Sequence, residues 1–281
     1  MRTSPFGPTG RDVPVVGFGT WNLETAERPR AVEAVRAALD AGMLHFDTAE
    51  MYGGGKVEEL LAEAVGDRRD EIFLVSKVHP ENASHEGTVR ACERSLRRLN
   101  TDRLDCYLLH WESRHPIAET IAGFEELAAA GKILSFGVSN FDEHQLEQAV
   151  KVAGPGRIAC NQVMYHLGER GIEHAVVPAC ERRNVAVVGY SPFAPGGFPS
   201  RETRQGRLLA EIAARYEATP RQLALAFLTR LPALFAIPMS SRPEHVRENA
   251  AAARLALSDD DLARIEAAFP RGPRRPGVTM G

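Results

Sequence analysis

The chain has 281 residues, 44% of them hydrophobic, and a formal net charge of -3. That charge argues against nucleic acid or an anionic membrane as a partner, and no apolar run approaches the ~20 residues of a membrane-spanning helix. The length suits one large core, because α/β barrels of roughly 250 residues usually form a single domain, so residues 1–281 are expected to fold as one.

The opening segment breaks at Thr9-Gly10 and reads as a small hairpin around Phe6 and Val13. Met1–Asp12 lacks the apolar core of a signal peptide. Val15–Gly17 is expected as the first barrel strand. Arg28–Ala41 has helical periodicity, with Val32, Val35, Ala38 and Leu39 on one face and Gly42 as its stop. Strand Leu44–Asp47, helix Val57–Val65 and strand Ile72–Ser76 follow. Thr88–Leu99 is a helix whose Arg90, Arg94, Arg97 and Arg98 read as a solvated face. Then come strand Cys106–Leu109, helix Ile117–Ala130 and strand Ile133–Val138, with Gly131 between the last two.

The second half repeats the rhythm. Helix Glu143–Val152 precedes strand Ile158–Gln162, and helix Glu173–Arg183 precedes strand Ala186–Tyr190. Arg204–Tyr216 and Pro220–Leu231 are helices, the latter with Thr219 as N-cap and Pro220 in its first turn. Phe235–Pro238 is the last strand. Pro243–Ala252 and Asp259–Phe269 are closing helices, the second capped by Ser258. Alternating strands and helices imply a parallel sheet covered on both faces. Eight strands favour a closed (β/α)8 TIM barrel of the α/β class, with an N-terminal β-hairpin and extra C-terminal helices. Cys92, Cys106, Cys160 and Cys180 are scattered without a CxxC, so they read as reduced thiols of a cytoplasmic protein, with no metal site expected.

Four polar residues follow apolar runs: Asp47 with Tyr52, Lys77, and His110. On consecutive barrel strands they would converge on the C-terminal rim, where barrel active sites are built. An acid, a phenol, an ammonium and an imidazole together suggest proton transfer. Taken singly, each has a structural alternative: Asp47 as a loop cap, Tyr52 as packing, Lys77 as a surface lysine, His110 as a satisfied interior histidine. A doubly wound dinucleotide fold is the rival architecture, and it should carry G-x-G-x-x-G after its first strand. Here Gly17-Phe18-Gly19 is followed by Thr20-Trp21-Asn22, without the third glycine. Gly53-Gly54-Gly55-Lys56 is followed by Val57, so it is not a Walker-type loop.

From about Phe6 to Phe269 the chain resembles the aldo-keto reductase family. The resemblance rests on the order and spacing of several motifs: Gly17-Phe18-Gly19-Thr20-Trp21, Asp47-Thr48-Ala49-Glu50-Met51-Tyr52-Gly53, Ser76-Lys77-Val78, Leu108-Leu109-His110-Trp111, Gly137-Val138-Ser139-Asn140-Phe141, Asn161-Gln162, Tyr190-Ser191-Pro192 and Ile237-Pro238. It implies NAD(P)H-dependent reduction of small aldehydes and ketones to alcohols, without metal or flavin. Tyr52 is then the proton donor. Free tyrosine has a pKa of about 10, and Lys77, paired with Asp47, is expected to lower it towards working pH. His110 would orient the carbonyl.

The resemblance also implies a cofactor site. Gly19, Thr20 and Trp21 fall in its first loop. Ser139, Asn140 and Gln162 match nicotinamide-amide ligands, and hydroxyl and carboxamide groups suit that amide. Tyr190 matches the stacking aromatic, and Ser191 and Pro192 begin the pyrophosphate segment. The Gly/Pro-rich loop Ala194–Arg204 is a candidate cover. After Ile237-Pro238, members preferring NADPH often have Lys; here the residue is Met239. Ser240, Ser241, Arg242, His245 and Arg247 could compensate, and Glu248 and Asn249 match positions near the adenine. NADPH is expected, with NADH as the alternative.

Trp21, Met51, His79 and Trp111 are expected to line the substrate mouth. The short segment Glu112–Pro116 resembles compact bacterial members acting on methylglyoxal or 2,5-diketo-gluconate. The expected partner is a small carbonyl compound, and the expected state a monomer. The tail Arg271–Gly281 either reaches over the pocket or is a mobile terminus, and its composition favours the second. Two other readings remain: an alcohol or sugar dehydrogenase using the same site oxidatively, and a cofactor-binding sensor with little turnover.

Overall fold

A computed structural model describes residues 1–280. A hairpin of β1 (Thr3–Pro5) and β2 (Asp12–Pro14) precedes eight parallel strands. These are β3 (Phe18–Gly19), β4 (His45–Asp47), β5 (Phe73–Val78), β6 (Cys106–Leu109), β7 (Phe136–Ser139), β8 (Ile158–Met164), β9 (Ala186–Tyr190) and β10 (Leu234–Ala236). They lie in chain order across the sheet. The ends meet: Val16 bridges Ala236 in parallel, the Gly17 amide donates to the Ala236 carbonyl at 2.8 Å, and the Gly19 amide to that of Pro238 at 3.1 Å. The expected barrel is therefore closed. The segment expected as a strand at Val15–Gly17 is one extended run that changes partner, pairing with the last strand at its lower half and with β4 at Phe18–Gly19. β4 to β8 are buried along their whole length, which is why they read as continuous apolar runs rather than alternating ones.

Helices α1 (Arg28–Asp40), α2 (Lys56–Val65), α3 (His85–Leu99), α4 (Ile117–Ala129), α5 (Glu143–Ala153) and α6 (Val176–Glu181) follow successive strands. α7 (Arg204–Ala214) and α8 (Pro220–Leu228) lie between β9 and β10, and α9 (Pro243–Ala251) and α10 (Asp259–Ala268) close the chain. Side-chain caps set several starts. Ser84 Oγ accepts from the Gly87 amide, so α3 begins three residues before the expected Thr88. Asp142 with Gln145, and Thr219 with Gln222, form capping boxes. The helix expected from Glu173 is broken at Ala175, leaving a 3-10 turn over Gly171–His174 before α6.

Phe6 from the hairpin plugs the barrel floor, with ring centroids 5.5, 4.7 and 5.1 Å from His45, Phe73 and Phe235. His45 is fully buried, and neither ring nitrogen has a hydrogen-bond partner among the described residues. Burial, then the Lys77 charge, pushes it down to about 3, so the ring is neutral.

The C-terminal tail lies against the rim. Arg271 pairs with Glu173 at 3.1 Å, His174 meets the Gly272 carbonyl at 2.9 Å, Arg274 pairs with Glu143 at 2.6 Å, and Thr279 donates to Glu169 at 3.1 Å. These anchors belong to the connections after β7 and β8. Beneath them Arg170, itself buried, grips Glu173 and the Phe269 carbonyl.

The seam leaves no room for a side chain at Gly19, where an added Cβ would lie 2.6 Å from the Ile237 carbonyl oxygen. Gly19→Ala should therefore lower unfolding stability by about 1–3 kcal/mol, read as a shift in urea midpoint at unchanged slope.

Candidate active site

Strand register assembles the centre. Asp47 ends β4 opposite Val75, and Lys77 stands two residues further up β5, opposite Leu108. His110 follows β6 directly and donates its amide to the Val78 carbonyl at 3.1 Å. Tyr52 opens a 3-10 turn, Tyr52–Gly55, whose Gly53 and Gly54 have φ of +55° and +64°. That left-handed backbone favours glycine, and it turns the chain back over the rim.

Lys77 is 0% exposed. An ammonium has three donors, and each finds an acceptor: Asp47 Oδ1 at 2.6 Å, the Thr48 carbonyl at 2.8 Å and Tyr52 Oη at 3.3 Å. Burial alone would drive its proton off, but the Asp47 carboxylate and the Tyr52 oxygen outweigh it, so its pKa lies above that of a free lysine. The other carboxylate oxygen, Asp47 Oδ2, accepts from Gln162 Nε2 at 2.7 Å. The phenol departs from expectation. Burial and Asp47 raise the Tyr52 pKa, Lys77 lowers it, and the net displacement is upward. Tyr52 is thus a neutral phenol at neutral pH. Lys77 offsets part of the burial effect rather than bringing the group into the neutral range.

The Tyr52 and His110 rings meet edge to face at 5.7 Å. His110 is pushed down to about 2, by burial first and then by the Lys77 and His79 charges, so it is a neutral imidazole. Among the described residues its buried Nδ1 has no hydrogen-bond partner. Trp111 stands 4.8 Å from His110 and 5.0 Å from His79, between the two rings. Trp21 and Met51 are 53% and 42% exposed, as residues of an open mouth would be. All four expected mouth residues follow the upper ends of β3, β4, β5 and β6.

The expected cofactor residues divide into two groups. The first is tightly organised. Ser139 donates to the Gln162 carbonyl at 2.8 Å, Asn140 Nδ2 to the His110 carbonyl at 3.0 Å, and Tyr190 Oη to Asn140 Oδ1 at 2.8 Å. Asn140 has φ of +61°, which suits the short polar side chain found there. Thr20 is buried and donates to the Asp47 carbonyl at 2.8 Å, so it braces the end of β4. Gly19 and Ile237 meet at the seam, and Ser191 and Pro192 follow β9. The second group lies at the start of α9. Met239, Arg242, His245 and Arg247 are exposed, and Ser240 Oγ accepts the Arg242 amide at 3.1 Å. Ser241 is partly exposed. Glu248 accepts from Thr219 at 2.5 Å and from Gln222 through its carbonyl at 2.9 Å, and Asn249 is buried. The loop after Ser191 carries Phe193 and Phe198, both under the Arg221 guanidinium of α8 at 5.7 and 5.1 Å.

Sequence reasoning missed an acidic layer behind the centre. Glu58 is 0% exposed and pairs with Arg98 at 2.6 Å, and Glu50 pairs with Arg94 at 3.2 Å. Arg90 and Arg97 are exposed as expected, whereas Arg94 and Arg98 are only partly so and turn their guanidinium groups onto these carboxylates. A signal existed: Glu58 shares the apolar face of α2 with Leu61 and Val65, at helical spacing. Among the described residues no cluster of His, Cys, Asp and Glu could hold a metal ion. No helix there is long and apolar enough to cross a membrane.

The Aldo/keto reductase family model matches residues 15–269. Methylglyoxal reductase of Escherichia coli is 40% identical over 270 residues, spanning 95% of each chain. Glyoxal reductase of Bacillus subtilis is 31% identical, over 92% of this chain and 90% of its own. In structure, an aldo-keto reductase from Klebsiella pneumoniae in complex with NADPH superposes with a TM-score of 0.91, at 39% identity and full coverage of both chains.

Proposed function

The chain belongs to the aldo/keto reductase family, and on that premise we propose that its rim reduces small aldehydes and ketones to alcohols with NADPH. One observation carries the reading: a neutral phenol, Tyr52 Oη, sits 3.3 Å from a buried ammonium that Asp47 holds charged. When bound, the reduced nicotinamide supplies hydride to the carbonyl carbon. Tyr52 gives its proton to the alkoxide oxygen that results. The phenolate left behind is stabilised by Lys77, a charge already in place before it is needed. Asp47 keeps that ammonium paired and oriented. His110, neutral, hydrogen-bonds the carbonyl oxygen through Nε2, since Nδ1 is sealed.

The residues present fit the cofactor. Gln162 has committed its NH2 to Asp47, so its Oε1 is the atom left for the amide of a nicotinamide. Ser139 and Asn140 add hydroxyl and carboxamide groups beside it, and Tyr190 offers an aromatic ring next to them. Arg242, with Ser240, Ser241 and His245, supplies donors for a 2′-phosphate where Met239 has none. NADPH is therefore preferred over NADH, by less than a lysine at position 239 would give. The Klebsiella pneumoniae neighbours bound to NADPH, or to NADP and acetate, support this choice.

The substrate class is the small 2-oxoaldehyde. The two curated relatives described above support it, being a methylglyoxal and a glyoxal reductase. So does an aromatic wall of Trp21 and Trp111 with short connections after β4 and β6. Asp47, Tyr52, Lys77 and His110, the amide-binding group and the α9 segment complete the site without a second subunit, in keeping with a monomer acting as a single domain. Four buried free cysteines suit a reducing cytoplasm.

Three outcomes test the reading. Wild type should oxidise NADPH with methylglyoxal, and Tyr52→Phe should lose kcat by roughly 10²–10³ while still binding cofactor. Met239→Lys should lower KM for NADPH by about tenfold and leave that for NADH unchanged. The pH profile follows from the shifts. Tyr52 is raised, so kcat should hold through neutral pH and fall only on the alkaline side as the phenol ionises. His110 stays neutral down to about 2, so no acid limb near 6.5 is expected. An inflection there that vanishes in His110→Ala would refute the neutral-imidazole assignment.

A further inference from the structure

The turn that carries Tyr52 is held by backbone bonds. The Tyr52 amide donates to the Ala49 carbonyl and the Gly54 amide to the Met51 carbonyl, both at 3.0 Å, and the Glu50 amide to the Lys77 carbonyl at 3.3 Å. Few side chains brace it. Gly53, Gly54 and Gly55 follow directly, all at positive φ and none with a side chain to pack. Yet the phenol must stay at a fixed distance from Lys77 on another strand. Two carboxylates flank this turn: Glu50 two residues before Tyr52, and Glu58 in the first turn of α2.

Glu58 reaches to β5 and Glu50 to the segment just after it, so that together they bind residues that bracket Lys77. Glu58 Oε1 accepts from Ser76 Oγ at 2.7 Å, one residue below the lysine. Glu50 Oε1 accepts from the His79 amide at 2.8 Å, two residues above it, and from Asn82 Nδ2 at 2.9 Å. The outer oxygens go to α3. Arg94 NH2 meets Glu50 Oε2 at 3.2 Å, and Arg98 Nε meets Glu58 Oε2 at 2.6 Å. Arg94 and Arg98 are one helical turn apart, hence on the same side of α3. Arg98 passes against Gly55, where an added Cβ would stand 2.6 Å from its Cδ. The glycine is thus also the opening that lets the guanidinium through.

From this geometry we infer that Glu50, held by Arg94, is a positioning residue for the proton donor. It ties the chain just before Tyr52 to the chain just after Lys77, and so sets the separation of phenol and ammonium. Glu58 and Arg98 make the matching tie below. Glu50 itself touches neither Tyr52 nor Lys77 through its side chain, and it acts on the reaction only through their spacing. This rests on the reductase reading for its kinetic consequence, and on the contacts alone for its structural one.

The test uses the full chain with NADPH and methylglyoxal. Glu50→Ala should lower kcat by about 10–100-fold, the scale expected for a misplacement of about 1 Å, with KM for NADPH unchanged. The solvent deuterium isotope effect on kcat should rise, because proton delivery from Tyr52 becomes slower than the other steps. Glu50→Gln should recover most of kcat, since its amide oxygen still accepts from the His79 amide. Arg94→Met, which keeps the stem and loses the charge, should fall between them. Hydrogen exchange should quicken in residues 47–55 and 79–83 of Glu50→Ala and not elsewhere. Unchanged kcat and isotope effect in Glu50→Ala would overturn the inference. So would a fall in kcat that only tracks a lost folded fraction, or unchanged exchange in 47–55. Failure of the wild type to reduce any carbonyl would instead overturn the reductase reading, and the exchange measurement would still judge the tie.

Discussion

A full positive charge sealed inside the barrel mouth is the constraint from which the rest of this site follows. Removing an ammonium from water costs several kcal/mol unless it is paired and hydrogen-bonded on all sides. Lys77 meets that requirement with a carboxylate, a carbonyl and a phenol. Each acceptor is in turn fixed by something else. Asp47 is anchored by Gln162 across the barrel and by its place at the end of β4. Thr48, which supplies the carbonyl, is held by its amide's bond to the Val75 carbonyl at 2.9 Å, and Tyr52 is carried by a turn tied to His79, just past β5. Burial, reinforced by the same charge, explains two neutral histidines. His45 below and His110 above are both desolvated, and both feel Lys77, so neither ionises at neutral pH. The lysine thus reinforces what burial begins at the two histidines, while Asp47 keeps the centre close to electrical neutrality.

Closure of the barrel makes such a centre affordable. In an open sheet the ends of β3 and β10 would be edges, and Gly19 would face solvent rather than the Ile237 carbonyl. With the seam closed, strand register alone fixes the heights of Asp47, Lys77 and His110, and no long loop has to be ordered to bring them together. That saves conformational entropy that a loop-built site would spend. Only Tyr52 stands on a turn rather than at a strand end, and two ion pairs flank that turn, Glu50 with Arg94 and Glu58 with Arg98.

Much of this was legible in the sequence. Continuous apolar runs ending in Asp47, Lys77 and His110 announce parallel strands whose tips share a rim, and the structure has them in that order. Of the α3 arginines, Arg90 and Arg97 are exposed as periodicity implies, whereas Arg94 and Arg98 are drawn partly inward by Glu50 and Glu58, contacts with sequence separations of 44 and 40 residues that no local pattern records. The tail's contacts were out of reach for a similar reason, because Glu143, Glu169 and Glu173, which meet Arg274, Thr279 and Arg271, lie far away in sequence. The direction of the Tyr52 shift was beyond reach as well. A nearby lysine is visible in sequence, but the burial that outweighs it is not.

Gln162 shows how tightly the two halves of the site are joined. A carboxylate accepts hydrogen bonds and cannot donate them, so Asp47 forces the NH2 of Gln162 inward. The carbonyl end of that amide is then turned the other way, without any partner having to select it. Its own backbone carbonyl accepts from both Ser139 Oγ and the Asn140 amide, at 2.8 and 2.7 Å. The group proposed to receive the nicotinamide amide is therefore built on the residue that completes the Lys77–Asp47 pair. Displacing Gln162 would leave a buried carboxylate oxygen without a donor, at a cost of about 1–3 kcal/mol. The polarity of the cofactor pocket is accordingly set from inside the barrel, by the same carboxylate that keeps the lysine charged.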